Sequence, residues 1–145
     1  MVKVGDPLDR TAEVLFCNEQ FYNAFATGDF EAIENLWAQD VAVCCIHPGH
    51  PPLFYREDIL ASWGLILKGK SAEGIQCKAP EAIVYGNTAM VICYEYLHQS
   101  YLLATNLYIF QQGTWKMIHH HASPTSGRPS EEEEEGEDLL DSLTN

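Results

Sequence analysis

Apolar residues follow two different spacings along the chain. In the first half they recur three or four positions apart, as in Val14, Cys17, Phe21, Ala24 and Phe25. That spacing predicts an amphipathic helix from about residue 9 to 26, closed by Thr27-Gly28. The same spacing predicts a short helix after Asp29 and a third helix over 56–68.

The second half alternates in the manner of β-strands. A short strand is predicted over 41–47, and four long ones over 75–85, 88–98, 101–111 and 114–123. Strands of about ten residues exceed the usual five or six, and long strands in one sheet bend strongly. Pro80 removes a ladder donor, so its strand should lie at an edge or contain a bulge. The pattern predicts an α+β domain with three helices and a strongly curved antiparallel sheet.

The last strand contains the run Trp115-Lys116-Met117-Ile118-His119-His120-His121. With strict alternation, His119 and His121 share the face of the apolar Trp115 and Met117, and His120 points the other way. We therefore expect His119 and His121 on the less exposed face, beside an enclosed polar space.

Acidic charge is concentrated at the end of the chain. Residues 124–145 include eight acids and Arg128, which account for −7 of the net charge of −13 and leave −6 for the preceding 123 residues. This composition predicts a disordered acidic tail over 126–145. An acidic body with an acidic tail argues against nucleic acid and anionic membranes as partners, because both would repel it.

The cysteines indicate a reducing compartment. They are odd in number, form no C-x-x-C pair and lie in apolar runs: Cys17, Cys44, Cys45, Cys77 and Cys93. Free cysteines in such runs behave as small hydrophobes, so we expect inert packing. The start of the chain, with Gly5-Asp6-Pro7, does not read as an apolar signal segment. A cytoplasmic protein is expected.

Several short motifs arrive in an order that resembles a known superfamily. They are Phe21-Tyr22-Asn23-Ala24-Phe25 with Gly28-Asp29, then Leu36-Trp37, Ile46-His47-Pro48-Gly49, Ala61-Ser62-Trp63 and the histidine-ended last strand. Over residues 9–125 the chain resembles nuclear transport factor 2-like proteins, in particular the SnoaL-like branch. The resemblance implies a cone-shaped fold in which the sheet and the three helices of the N-terminal half enclose a pocket, with residues 1–8 as a lead-in. Many members dimerise through the outer sheet face, so a homodimer is expected.

A more distant similarity, at Trp115, His119 and His121, is to the association domain of calcium/calmodulin-dependent kinase II. The pocket arginines of that domain would fall near Tyr96 and Asn106, and neither position is basic here. The chain therefore departs from that domain where an acidic ligand would be held.

The resemblance and the polar residues within predicted strands together define a candidate site. Imidazoles suit proton transfer near neutral pH, and a carboxylate or tyrosine can orient them. The predicted catalytic residues are His47, His119, His121 and Glu95. The predicted ligand-binding residues are Tyr22, Trp37, Trp63, Tyr94 and Asn106, with the large rings also serving as core. A zinc site formed by His47, His119 and His121 is the alternative. Hydrogen-bonded histidines are favoured over it, and neither metal nor cofactor is expected.

Two functional hypotheses follow. In the first, the domain binds a small, largely apolar molecule in its pocket and, by extension, acts on it as an isomerase, cyclase or hydratase does. In the second, it is a non-catalytic dimeric assembly or protein-interaction module whose acidic tail recruits a protein partner. The histidine-ended strand favours the first, and the leucines of Asp138-Leu139-Leu140-Asp141-Ser142-Leu143 favour the second.

Overall fold

A computed structural model describes the backbone of residues 7–130 and the side chains of residues 10–130. Within these residues it contains three helices, α1 (Pro7–Thr27), α2 (Phe30–Leu36) and α3 (Arg56–Gly69), and five strands, β1 (Cys44–Ile46), β2 (Gln76–Tyr85), β3 (Thr88–Leu97), β4 (Ser100–Gln111) and β5 (Thr114–Pro124). Most of the predicted acidic tail, from residue 131 onwards, lies outside the described residues.

The helix ends follow from local chemistry. Pro7 opens α1, since the fixed φ of proline suits a first helical turn. Gly28, at φ +76°, ends that helix, and the side chain of Asp29 then caps α2 by accepting a 3.2 Å hydrogen bond from the Ala32 N–H. Lys70 ends α3 in the left-handed region at φ +63°.

The strands form one curved sheet in the order β1-β5-β4-β3-β2. The last four strands are joined by tight hairpins and pair antiparallel, as the sequence predicts. Strand β1 pairs parallel with β5, so the sheet is mixed. This difference arises because loops connect β1 to α2 before it and to α3 after it, so no hairpin turn dictates an antiparallel direction. Pro80 lies in edge strand β2, at a register shift between Lys78 and Glu81.

A second bulge, in β5, overturns the expected faces of the last strand. Leu107 of β4 pairs with His119, whereas the next residue, Tyr108, pairs with Met117. Ile118 is therefore an extra residue, and the alternation changes phase after it. Met117 and His120 are buried on the inner face, while His121 is exposed. The expectation that His119 and His121 share the face of Trp115 and Met117 is wrong, because strict alternation does not allow for the bulge.

The space between the helices and the inner face of the sheet is filled by side chains. Phe21 of α1, Trp63 of α3 and Tyr108 of β4 are each at most 1% exposed, and Trp37, which follows α2, is equally buried. The rings of Phe21 and Trp63 meet edge to face with centroids 5.5 Å apart. Within the described residues, no helix is long and apolar enough to cross a membrane.

Candidate functional site

A polar cluster lies inside this core. Among the side chains that the structure describes, four polar ones are at most 2% exposed, namely Asn18, Glu95, Asn106 and His120. Helix α1 supplies Asn18 and, one turn later, the buried Tyr22 on the same face. The other three come from adjacent strands β3, β4 and β5 and point inward. Burying so many polar groups is unfavourable unless their hydrogen bonds are satisfied.

Tyr22 connects the helix to the sheet. Its hydroxyl donates a 2.6 Å hydrogen bond to Oε2 of Glu95 and accepts one of 3.2 Å from Nδ2 of Asn106. The Cys93 thiol donates a further, longer hydrogen bond of 3.5 Å to the Tyr22 hydroxyl oxygen. Burial, followed by the charge of Glu95, raises the Tyr22 pKa well above its ordinary value. Tyr22 therefore remains a neutral hydrogen-bond donor.

Asn106 fixes the tautomer of His120. The Asn106 amide nitrogen donates to Oδ1 of Asn18 at 2.9 Å, and Tyr108 donates to that same oxygen at 2.7 Å. The amide oxygen of Asn106 can only accept a hydrogen bond, and it lies 2.6 Å from Nδ1 of His120. His120 must therefore carry its proton on Nδ1. Its Nε2 presents a lone pair 3.8 Å from Oε2 of Glu95.

Both titratable members of this pair favour their neutral forms. Burial raises the pKa of Glu95 to about 7, against a smaller lowering effect of the Tyr22 hydrogen bond. Burial lowers the pKa of His120 to about 3, and neighbouring histidines add to the shift. Near neutral pH the site thus contains a neutral imidazole with an unprotonated Nε2 beside a carboxyl group that gains or loses its proton near pH 7. Such a pairing is typical of acid–base sites.

His47 lies on the other side of the aromatic core. Its ring is 5.1 Å from that of Trp63 and 6.5 Å from that of His120. The Ser62 hydroxyl donates to the Ile59 carbonyl, so the 2.8 Å contact with Nε2 of His47 makes the histidine nitrogen the donor. This arrangement does not activate Ser62 as a nucleophile. It leaves Nδ1 of His47 as an acceptor.

A cavity of about 720 Å³ between α1 and β2 reaches the edge of the polar cluster. Asn18, Tyr22 and Cys77 line its polar side, and Leu15 and Ile75 are among its apolar lining residues. Glu95 and His120 lie behind Tyr22 and Asn106 and do not line this cavity. Tyr22 therefore stands between the cavity and the carboxyl group. A second cavity of about 710 Å³ lies across α1 towards α2 and the β4–β5 hairpin.

The structure brings some of the predicted site residues together. Glu95, Tyr22 and Asn106 lie in one hydrogen-bonded cluster, and Trp63 and His47 lie close to His120. The remaining predicted residues lie elsewhere. His119 is half-buried and paired with Leu107, and its ring is 6.3 Å from that of His121.

Tyr94 and Trp37 are also separate from the cluster. Tyr94 alternates with the inward-pointing Glu95, and its ring contacts Tyr101. Trp37 is core, bridged to Met117. Asn18, Tyr108 and His120 are not among the residues predicted from the sequence. The four-residue interval from Asn18 to Tyr22 could have indicated the first, but nothing in the spacing reveals the bulge that turns His120 inward.

The fold is that of nuclear transport factor 2-like proteins. A candidate dehydratase of that family from Streptomyces avermitilis superposes with a TM-score of 0.75 and 33% identity, covering 84% of this chain and 100% of the other. A candidate calcium/calmodulin-dependent kinase II association domain from Thiobacillus denitrificans superposes with a TM-score of 0.69 and 30% identity. The match covers 76% of this chain and 93% of the other. A Pseudomonas putida protein of unknown function, at 17% identity and a TM-score of 0.71 over 90% of this chain and 96% of its own, shares the fold.

The sequence model of the SnoaL-like domain matches residues 14–126, and the chain belongs to that family. Among curated proteins, the F-box protein SKIP8 of Arabidopsis thaliana is 25% identical over 115 residues. That match covers 78% of this chain and 50% of the plant protein, so the chain spans about half the length of this relative.

Proposed function

We propose that this domain binds a small, largely apolar molecule and performs acid–base chemistry on it, in the manner of a dehydratase or isomerase. The observation that carries the proposal is the buried Glu95 carboxyl, hydrogen-bonded by Tyr22 at 2.6 Å and facing the free Nε2 of His120 at 3.8 Å. A purely structural core has no need of a carboxyl group and an imidazole side by side in an apolar interior. Perturbed pairs of this kind concentrate at functional sites.

The three groups divide the chemistry. Glu95, with a pKa of about 7, is an acid for a leaving hydroxyl or a developing enolate oxygen when protonated and a base for the proton lost from carbon when ionised, and His120 faces its carboxyl group as a neutral imidazole. The Tyr22 hydroxyl lies between Glu95 and the cavity and can pass the proton or hold a carbonyl oxygen. Asn106 keeps His120 in the reactive tautomer. The Streptomyces relative, a candidate dehydratase, supports this class of reaction.

The α1–β2 cavity is the proposed route for the ligand. Its volume of about 720 Å³ suits a small molecule, and its lining combines apolar side chains with the polar Asn18 and Tyr22. A largely apolar molecule with one hydroxyl or carbonyl group matches that lining. Anionic ligands are disfavoured because Glu19, and no cationic side chain among the described residues, belongs to the lining.

Hydrogen–deuterium exchange at carbon tests the proposal. The protein is incubated in deuterium oxide with cyclic ketones and β-hydroxy ketones, and proton NMR follows exchange next to the carbonyl and loss of water. We expect catalysis by the wild type and a loss of roughly 100-fold or more in Glu95→Gln. Glu81→Gln, on the exposed edge strand, is the matched control and should retain the rate. Equal rates for wild type and Glu95→Gln would rule out the proposed acid.

A non-catalytic assembly module is the second candidate, favoured by the plant relative. In that F-box protein, the similar region makes up half of the chain, so a domain of this type occurs within a larger protein. Deleting residues 126–145 distinguishes the two candidates. The assembly function requires the deletion to remove cellular partners, whereas the pocket function requires it to leave ligand binding and turnover unchanged.

A further inference from the structure

Two thiols meet beside the α1–β2 cavity. Cys77 on β2 pairs with Glu95 on β3, and Cys93 lies two residues before Glu95 on the same inward face. The amide nitrogen of Asn18 is 3.7 Å from Sγ of Cys77 and 4.0 Å from Sγ of Cys93. The bulge after Lys78 sets two β2 residues opposite Cys93 and draws the strands locally out of register. The two sulphurs thus share one small polar space.

The two cysteines differ in access. Cys77 is half-buried and lines the cavity of about 720 Å³, whereas Cys93 is 1% exposed and lies behind it. An oxidant that enters the cavity therefore reaches Cys77 first. Cys44 and Cys45 are adjacent in β1 and point to opposite faces of that strand, so they do not form an equivalent pair.

The pKa values of the two thiols are shifted in opposite directions. Hydrogen bonding from Cys77, followed by contacts to Tyr22 and Asn18, lowers the Cys93 pKa despite its burial. The same contact raises the Cys77 pKa. These contacts could not be predicted from the sequence, because Tyr22 and Asn18 come from a distant helix. Cys93 is thus the more acidic thiol, and the order of attack is set by access, because Cys77 lines the cavity and Cys93 does not.

We propose that Cys77 and Cys93 form an oxidisable dithiol that reduces a hydroperoxide. The Cys77 sulphur attacks the outer oxygen of the peroxide, the O–O bond breaks, and Cys77 becomes a sulfenic acid while an alcohol or water leaves. The Cys93 sulphur then attacks the Cys77 sulphur, an S–S bond forms, and the sulfenic hydroxyl leaves as water with the remaining proton. The peroxide gains two electrons and the thiols lose them. This reaction does not depend on acid–base catalysis by Glu95.

Peptide mapping tests the pairing in the full-length wild-type protein. After treatment with hydrogen peroxide, free thiols are alkylated and the protein is digested with trypsin. Trypsin cuts after Lys78, so a Cys77–Cys93 bridge joins peptide 71–78 to peptide 79–116. We expect this linked pair in oxidised protein and its loss on reduction. A free thiol on peptide 71–78, or a bridge from Cys77 to another cysteine, would overturn the proposal.

Single substitutions separate the two roles. Cys93→Ser should stop the reaction at the sulfenic acid of Cys77, which dimedone traps. Cys77→Ser should leave no dimedone adduct on peptide 79–116, because Cys93 is shielded from the cavity. Cys44→Ser is the matched control and should form the linked pair as the wild type does. Dimedone labelling of Cys93 in the Cys77→Ser protein would contradict the order of attack.

Discussion

The Tyr22 hydroxyl on α1 donates a 2.6 Å hydrogen bond to the Glu95 carboxyl on β3. Both groups are nearly inaccessible, at 3% and 2% exposure, so this bond joins the helix layer to the sheet in an environment where water cannot replace it. A buried polar group that loses its partner retains the full cost of its desolvation. The Tyr22–Glu95 bond therefore couples the stability of the domain to the protonation of the candidate site.

Tyr22→Phe removes this bond without changing the ring. We expect a loss of roughly 1–3 kcal/mol in the free energy of unfolding, because Glu95 and Asn106 each lose a partner. The Glu95 pKa should also rise further, since the Tyr22 hydrogen bond lowers it. Urea unfolding measures the first effect, and NMR titration of the carboxyl carbon measures the second. Tyr85→Phe, at an exposed position, should change neither.

Glu95→Gln should remove a pH dependence of stability. The carboxyl pKa rises from its ordinary 4.5 to about 7 on folding, so the folded state binds the proton more tightly. Stability from this group is full below about pH 4.5 and is lost as pH rises through 7, by roughly 3 kcal/mol. The wild type should therefore lose stability relative to Glu95→Gln between these pH values. A constant difference from pH 4 to 8 in urea unfolding would contradict the raised pKa.

His120→Asn should act in the opposite direction. The His120 pKa falls from 6.5 to about 3 on folding, so the unfolded chain binds the proton more tightly. Stability from the neutral imidazole is full above about pH 6.5 and is lost as pH falls towards 3, by up to roughly 5 kcal/mol. Relative to His120→Asn, the wild type should weaken on acidification. His50→Asn, in an exposed loop, should follow the wild type.

A homodimer is expected through the outer face of the sheet. That face carries the partly buried Met90, Ile92 and Leu107 and the 37%-exposed Leu103. A contiguous apolar surface of this kind is a candidate interface. Sedimentation at micromolar concentration should give twice the mass of the 16.3 kDa chain. Leu103→Lys should shift the protein towards monomer, whereas Leu65→Lys, on the exposed side of α3, should not. A monomeric wild type would remove the dimer prediction.

Much of the fold could be predicted because its signals are local. The helical spacing around Phe21 and Trp63 and the consequences of Pro80 depend on residues that are close in sequence. The parallel pairing of β1 could not be inferred in this way. It depends on the path of the chain from α2 into β1 and on the position of the much later strand β5, and the residues of Cys44–Ile46 are compatible with either direction.

The candidate site was only partly predictable, for a related reason. Glu95, Tyr22 and Asn106 could be named as polar or aromatic residues in apolar runs. The choice of His120 over its two neighbours depends on the bulge at Ile118, and that bulge is defined by pairing with Leu107 and Tyr108 on another strand. A one-residue change of phase reverses every later side chain.

The three consecutive histidines of β5 have a consequence for how this site tolerates insertions and deletions. With the extra residue Ile118 accommodated as a bulge, one imidazole, His120, points inward. If Ile118 were deleted, regular pairing would again direct His120 inward. If the bulge were instead absorbed into a regular ladder, His119 and His121 would turn inward in its place. A histidine triplet therefore supplies an interior imidazole in either phase of the strand. A one-residue slip changes the number of inward-pointing histidines from one to two or back, and at least one always points inward.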